Sequence, residues 1–375
     1  MLVGFGGLSR SAFGAPAQDP PKKQQAPEIE QAQKLIKDGK YAEAETIAKK
    51  CVEKSPDDPE CNYQLGRAIF YQDRFADALP CFQKVTQLLP KFSGGYKFVG
   101  DCYFNQKQFP QAVAAYGKAV ELEPDESDNY VDFGNALDAA GKEKEAEAQY
   151  AKALEINPDN SRAMFEMAVI FYNGKRYDDA EKLLLKGLLL DSQNPFAYAN
   201  LGDVYRVTDR STKAEKAYKQ ALLLDPKRFR ALDGLSQLYV DTHRDREAEE
   251  ITRRLVEIAP DAPQFLLRLA NVIDNQRHYV DSLDLYKQLI SKFPTYANGH
   301  LDLAISLWRQ EKSKDADSSF KKALELAPDR PFFYLSYGNF LKSQGKKKDA
   351  KVQYQMALKL DPEYADAKKA LEELK

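Results

Sequence analysis

Apolar residues recur along this chain at spacings of three and four. Between Asn129 and Ala140 they are Tyr130, Phe133, Leu137 and Ala140, which is one face of a helix. Gly141 interrupts the pattern, and a second amphipathic stretch follows with Ala146, Tyr150 and Ala153 on one side. Pro158 breaks that stretch, and Asn160 or Ser161 is placed to cap the next helix. A short connection forces two consecutive helices antiparallel. The predicted unit is therefore a helical hairpin.

The hairpin repeats. Prolines fall at Pro56, Pro90, Pro124, Pro158, Pro226, Pro260, Pro294, Pro328 and Pro362, in steps of 34 residues, with Ser192 holding the one vacant place in phase. A small residue keeps the same phase as Gly66, Gly100, Gly134, Ala168, Gly202, Ser236, Ala270, Ala304 and Gly338. An alanine column runs through Ala44, Ala78, Ala112, Ala146, Ala180, Ala214, Ala248, Ala316 and Ala350, with Ser282 in the eighth unit's place. Four residues after it comes a large side chain: Phe82, Tyr116, Tyr150, Leu184, Tyr218, Tyr286, Phe320 and Tyr354, with Thr252 the exception. The small residues predict close approach between helices, with the large ones filling space beside each contact. Each proline predicts the end of a second helix, where its missing donor costs little.

A register of this kind resembles the tetratricopeptide repeat. The resemblance covers residues 23–375 and yields ten units, from 23–56 to 329–362, followed by a capping helix over 363–375. It implies an all-α solenoid, with antiparallel helix pairs wound into a right-handed superhelix and each unit buried only against its neighbours. The fifth unit departs most, with Ala168 for glycine, Gly187 for alanine, Ser192 for proline and an unusually apolar second helix at Leu183–Leu190. That helix reads either as drift with leucine restoring lost volume or as a partner or self-association patch.

Composition narrows the function. The 55 basic and 57 acidic residues leave a formal charge of -2, which gives no bulk electrostatic case for nucleic acid or an anionic membrane. The longest apolar runs fall well short of the ~20 residues a bilayer needs. The three histidines, His243, His278 and His300, lie in different units and have no metal-ligand spacing. There is no phosphate-cradling glycine loop and no dinucleotide fingerprint. The expectation is a protein that is not an enzyme and carries no cofactor.

The four cysteines, Cys51, Cys61, Cys81 and Cys102, lie in the first third. They read either as small apolar residues between helices or as disulfides, with Cys51 and Cys61 the easiest pair because one turn separates them. Residues 1–22 are rich in Gly, Ala, Ser and Pro and read as a flexible leader. The run Leu2–Leu8 and the small residues Ala15-Pro16-Ala17 fit an export-signal remnant, which favours the periplasm or export. A cytoplasmic tail is the alternative.

The family resemblance places partner contacts on the concave face, from the first helix of each pair. The positions carried over are Tyr63, Arg67, Phe70, Lys97, Phe98, Asp101, Phe104, Asp128, Asp132, Asn135, Phe165, Glu166, Asn200 and Asp203, with Trp308 and Arg309 as a separate anchor. The clamp that some family members use for a carboxyl-terminal peptide has Asp101 and Asp132 where asparagines belong, so that mode is disfavoured. Aromatics beside carboxylates suit an extended peptide or partner helix with apolar side chains and some Lys or Arg. The expected function is a scaffold that binds other proteins and assembles a complex. The alternatives are a self-associating structural protein, a homo-oligomer, or an adaptor for envelope machinery.

Overall fold

The computed structural model describes residues 27–374. The leader at residues 1–22, with its export-signal reading, lies outside the described residues. Within them the chain is all-α, a tandem series of helix pairs. It divides into two compact units, one through Val204 and one from Tyr205.

The first unit contains α1 (Pro27–Lys37), α2 (Tyr41–Lys54), α3 (Pro59–Phe70), α4 (Phe75–Leu88), α5 (Ser93–Asn105), α6 (Phe109–Leu122), α7 (Ser127–Ala139), α8 (Glu143–Ile156), α9 (Ser161–Asn173) and α10 (Tyr177–Leu190). The boundary falls within α11 (Pro195–Val207). The second unit contains α12 (Ser211–Leu224), α13 (Phe229–Asp241), α14 (Asp245–Ile258), α15 (Pro263–Asn275), α16 (Tyr279–Lys292), α17 (Ala297–Arg309), α18 (Ser313–Leu326), α19 (Pro331–Ser343), α20 (Lys347–Leu360) and α21 (Ala365–Glu372).

Every proline of the 34-residue series lies two residues beyond a second helix, as Pro158 does after Ile156. The helix end does not depend on it. α10 stops at Leu190 with Ser192 following, and the Asp191 N–H closes the last turn on the Gly187 carbonyl at 2.8 Å. Proline reinforces a stop that the next hairpin already imposes. First helices begin on side-chain caps where the sequence offers them. Asp58 accepts from the Glu60 and Cys61 amides, and Asn160 from the Ala163 amide.

The turn inside each pair has its own regularity. Asp73, Lys107, Lys175, Asp209, His243, Arg277 and Glu311 have φ between 55° and 62°. Gly39, Gly141 and Gly345 occupy the same register with φ of 75° to 78°. Only three of these left-handed positions carry the residue that adopts them without strain.

The core is built from the three columns. The alanine column is fully buried, from Ala44 to Ala180 in the first unit and from Ala214 to Ala350 in the second. Ser282 takes that place once because its hydroxyl donates to Asp274. The large side chain does not sit beside the small residue as the sequence suggests. It lies directly on it. A methyl at Gly66 would lie 2.8 Å from the Phe82 ring, one at Gly100 2.7 Å from Tyr116, and one at Gly134 2.5 Å from Tyr150. Where the large residue shrinks to Thr252, the small one grows to Ser236, and the two hydroxyls hydrogen-bond at 2.7 Å. The fifth pair moves its glycine to the second helix, where Gly187 lies under the Phe165 ring. Its departures are therefore one coordinated repacking.

Candidate partner-binding face

The first helices carry most of the polar side chains that the chain buries. Polar groups in a core persist only when paired, and the pairing follows the repeat. In the first unit, Tyr116 Oη donates to Asp101 Oδ1 at 2.6 Å and Tyr150 Oη to Asn135 Oδ1 at 2.7 Å. In the second, Tyr286 donates to Asn271 at 2.6 Å and Tyr354 to Asn339 at 2.9 Å. Each acceptor precedes its tyrosine by fifteen residues. Where the tyrosine becomes Leu184 or Phe320, the acceptor position holds Val169 or Ile305. Asn135 thus serves the fold. Asn271 and Asn339 do the same for Tyr286 and Tyr354.

A second set of contacts joins first helices of successive pairs. Lys97 on α5 reaches Asp132 on α7 at 3.0 Å, and Arg162 on α9 grips Asp132 at 2.7 Å and Asp128 at 3.1 Å. The Asn160 amide donates to Ser127 and Asp128. Burial works against the charge on Lys97, yet the fields of Asp132 and Asp101 hold its pKa above the usual lysine value. Burial, reinforced by Asp132, pushes the Asp101 carboxyl up to about 7. The second unit uses the same device. Arg268 meets Asp233 at 2.7 Å, Asn271 donates to Asp302 at 2.8 Å, and Arg309 meets the buried Asp274 at 3.0 Å.

These contacts correct part of the predicted face. Tyr63, Phe70, Phe98 and Phe165 are core residues, at most 5% exposed. Tyr63 meets Phe82, Phe92 and Phe98 edge-on at 5.4–6.0 Å, and Phe82 stacks on Phe98 at 4.6 Å. Their helix face points into the pair, where aromatic area is removed from water. Lys97, Asp101 and Asp132 are buried in the ionic network, and Asn200 and Asp203 are buried as well. Asn200 donates to the Phe196 carbonyl. Trp308 is half-buried, edge-on to Phe340 at 5.9 Å, so it packs the core rather than standing as an anchor. Arg67 is half-buried beside Gln64, Phe104 packs on Phe109, and Asp128 and Glu166 are partly open. Arg309 keeps an exposed guanidinium.

Cys51 and Cys61 form a disulfide, tying α2 to α3. Cys102 is buried and Cys81 partly so, both as free thiols; burial pushes the Cys81 thiol up to about 11, away from reactive thiolate. Among the described residues no cluster of His, Cys, Asp or Glu is arranged to hold a metal, and no helix is long and apolar enough to cross a membrane.

Tetratricopeptide models match the chain over residues 63–128, 139–202 and 195–228, and a model described as YpiA-like, C-terminal tetratricopeptide repeats matches 299–373. Together they cover more than half its length. The chain belongs to the tetratricopeptide repeat family. Proteins built of this repeat are in general interaction scaffolds rather than enzymes. No curated protein matches the chain. Among solved structures, a tetratricopeptide repeat protein from Parabacteroides merdae ATCC 43184 is 17% identical, with 66% of this chain and 98% of that one covered at a TM-score of 0.53. The human IFIT1 dimer with m7Gppp-AAAA is 18% identical, with 88% and 80% covered at a TM-score of 0.54. At these identities the likeness is one of fold alone.

Proposed function

We propose that this tetratricopeptide repeat protein is a non-catalytic scaffold that assembles a protein complex, holding an extended peptide or partner helix along the first-helix face. The observation that supports this reading is a set of open or half-open side chains at or near the C-terminal ends of first helices in the first unit: Tyr71, Asn105, Asp138 and Tyr172. Aromatic rings beside amide and carboxylate groups suit a segment that carries both apolar and basic side chains. Asp132 is a poor site for testing this, because reversing its charge would strand Lys97 and Arg162 in the core. The test is a pull-down from the native host with the wild-type chain and with Asp138→Lys combined with Tyr172→Ala. The reading expects a partner that the wild type retains and the variant loses. An unchanged set of partners refutes it.

A second reading, self-association, has one specific observation in its favour. On α10, Leu185, Leu189 and Leu190 are exposed, Leu189 to 86%, and Leu185 and Leu189 share a helix face. Light scattering over a concentration series checks it. Mass that rises with concentration in the wild type and stays constant in Leu189→Glu supports it, and a wild type that remains monomeric excludes it.

A further inference from the structure

Tyr150, Tyr286 and Tyr354 donate to an asparagine fifteen positions earlier: Asn135, Asn271 and Asn339. Tyr116 donates instead to Asp101, which is isosteric with asparagine but able to ionise, and Asp203 holds the same place before Tyr218. Asp101 is 4% exposed. Its own helix, α5, supplies Lys97 and the neighbouring Cys102 thiol, and α6 the Tyr116 hydroxyl. α4, packed on α5, carries the Cys81 thiol beside Cys102. α7 supplies Asp132 and α9 supplies Arg162, whose charges reach Asp101, and Arg162 also pairs with Asp128. The Lys97 ammonium goes to Asp132, so Asp101 has the Tyr116 hydroxyl as its side-chain donor. With Asp101 protonated, Lys97 and Arg162 balance Asp128 and Asp132. With Asp101 ionised, one further negative charge enters the same buried wall, 2.6 Å from a hydroxyl that an asparagine would satisfy equally well.

From this juxtaposition we infer that Asp101 makes the ionic contact of α5 with α7 responsive to pH, tighter under mild acid and looser as the medium approaches neutrality. The sign follows from linkage. A carboxyl whose folded pKa lies above its unfolded value adds stability in full below the unfolded value of 3.8, and loses it as pH rises to about 7. Most carboxylates push stability the other way, so the direction is diagnostic. The first unit is also a clean place to look, because all three histidines of the chain, His243, His278 and His300, belong to the second.

The experiment is hydrogen exchange of the full chain, read on peptides from residues 93–173 and corrected for intrinsic rates, compared with Asp101→Asn. Between about pH 5 and about pH 8, wild-type protection should fall about tenfold or more, while the variant changes less than about threefold and exceeds the wild type at the upper end. Equal slopes in the two proteins, or a flat wild type, would overturn the inference. A second reading needs no variant: carbon-13 carboxyl titration of the wild-type chain labelled at aspartate. It should give a resonance with a midpoint near 7, and titration of every aspartate below about pH 5 would overturn the inference.

Discussion

At the scale of single residues, the repeat rests on rings set against glycines and on hydroxyls set against amides. Tyr150 takes part in both, since its ring covers Gly134 and its hydroxyl reaches Asn135. Gly134→Leu must displace that ring, and urea unfolding should show a loss of about 1–3 kcal/mol. Tyr150→Phe leaves Asn135 without its donor, at about 1 kcal/mol. Adding Asn135→Ile recreates the pairing already present at Ile305 and Phe320, so the double variant should recover most of that loss. Additive costs in the cycle would refute the coupling. The small and large columns were legible in the sequence because size recurs in phase. Which small residue meets which ring was not, because spacing gives a face and not a contact. The same limit misplaced Tyr63, Phe70, Phe98 and Phe165. A tyrosine that tracks asparagine or aspartate fifteen positions earlier was the available signal for the hydroxyl pairs.

At the scale of helices, charges bind one pair to the next. Glu215 on α12 receives Arg244, at the start of α14, at 2.6 Å, together with Lys219 and the Tyr239 hydroxyl. The Arg244 hydrogen bond, against some burial and aided by Lys219, holds its carboxyl down at about 2. A lowered pKa contributes stability above the ordinary value of 4.5 that disappears as pH falls towards about 2. Glu215→Gln should therefore cost about 1 kcal/mol at neutral pH, solvent screening included. The gap between variant and wild type should close near the acid limit in a thermal melt series. A gap that stays constant with pH counts against this account. Helix ends were readable from the proline series, yet α10 shows that the series marks the stop without creating it. The ion pairs were not readable, because their members are 29 to 35 residues apart and many other charges share that spacing.

At the scale of the whole molecule, each pair is buried mainly by the pairs beside it, so stability is close to a sum of local terms and neighbour terms. The family, and with it the all-α solenoid, was legible because prolines, small residues and rings that recur in one phase leave little freedom. Partner chemistry was much less so, because most of the polar residues singled out for the face are consumed in holding the pairs together. The left-handed turns carry a practical consequence. Lys107 and Lys175 sit at φ 60° in places that Gly39, Gly141 and Gly345 fill in other pairs. Replacing each lysine with glycine should relieve about 1 kcal/mol of backbone conflict, less the extra freedom given to the unfolded chain. Lys107→Gly with Lys175→Gly should raise the melting temperature by a few degrees, about 2–4 °C, and calorimetry will show whether it does. Each exchange alters a turn and leaves the helices themselves unchanged, so the array offers a route to hardier variants for industrial or crystallographic use.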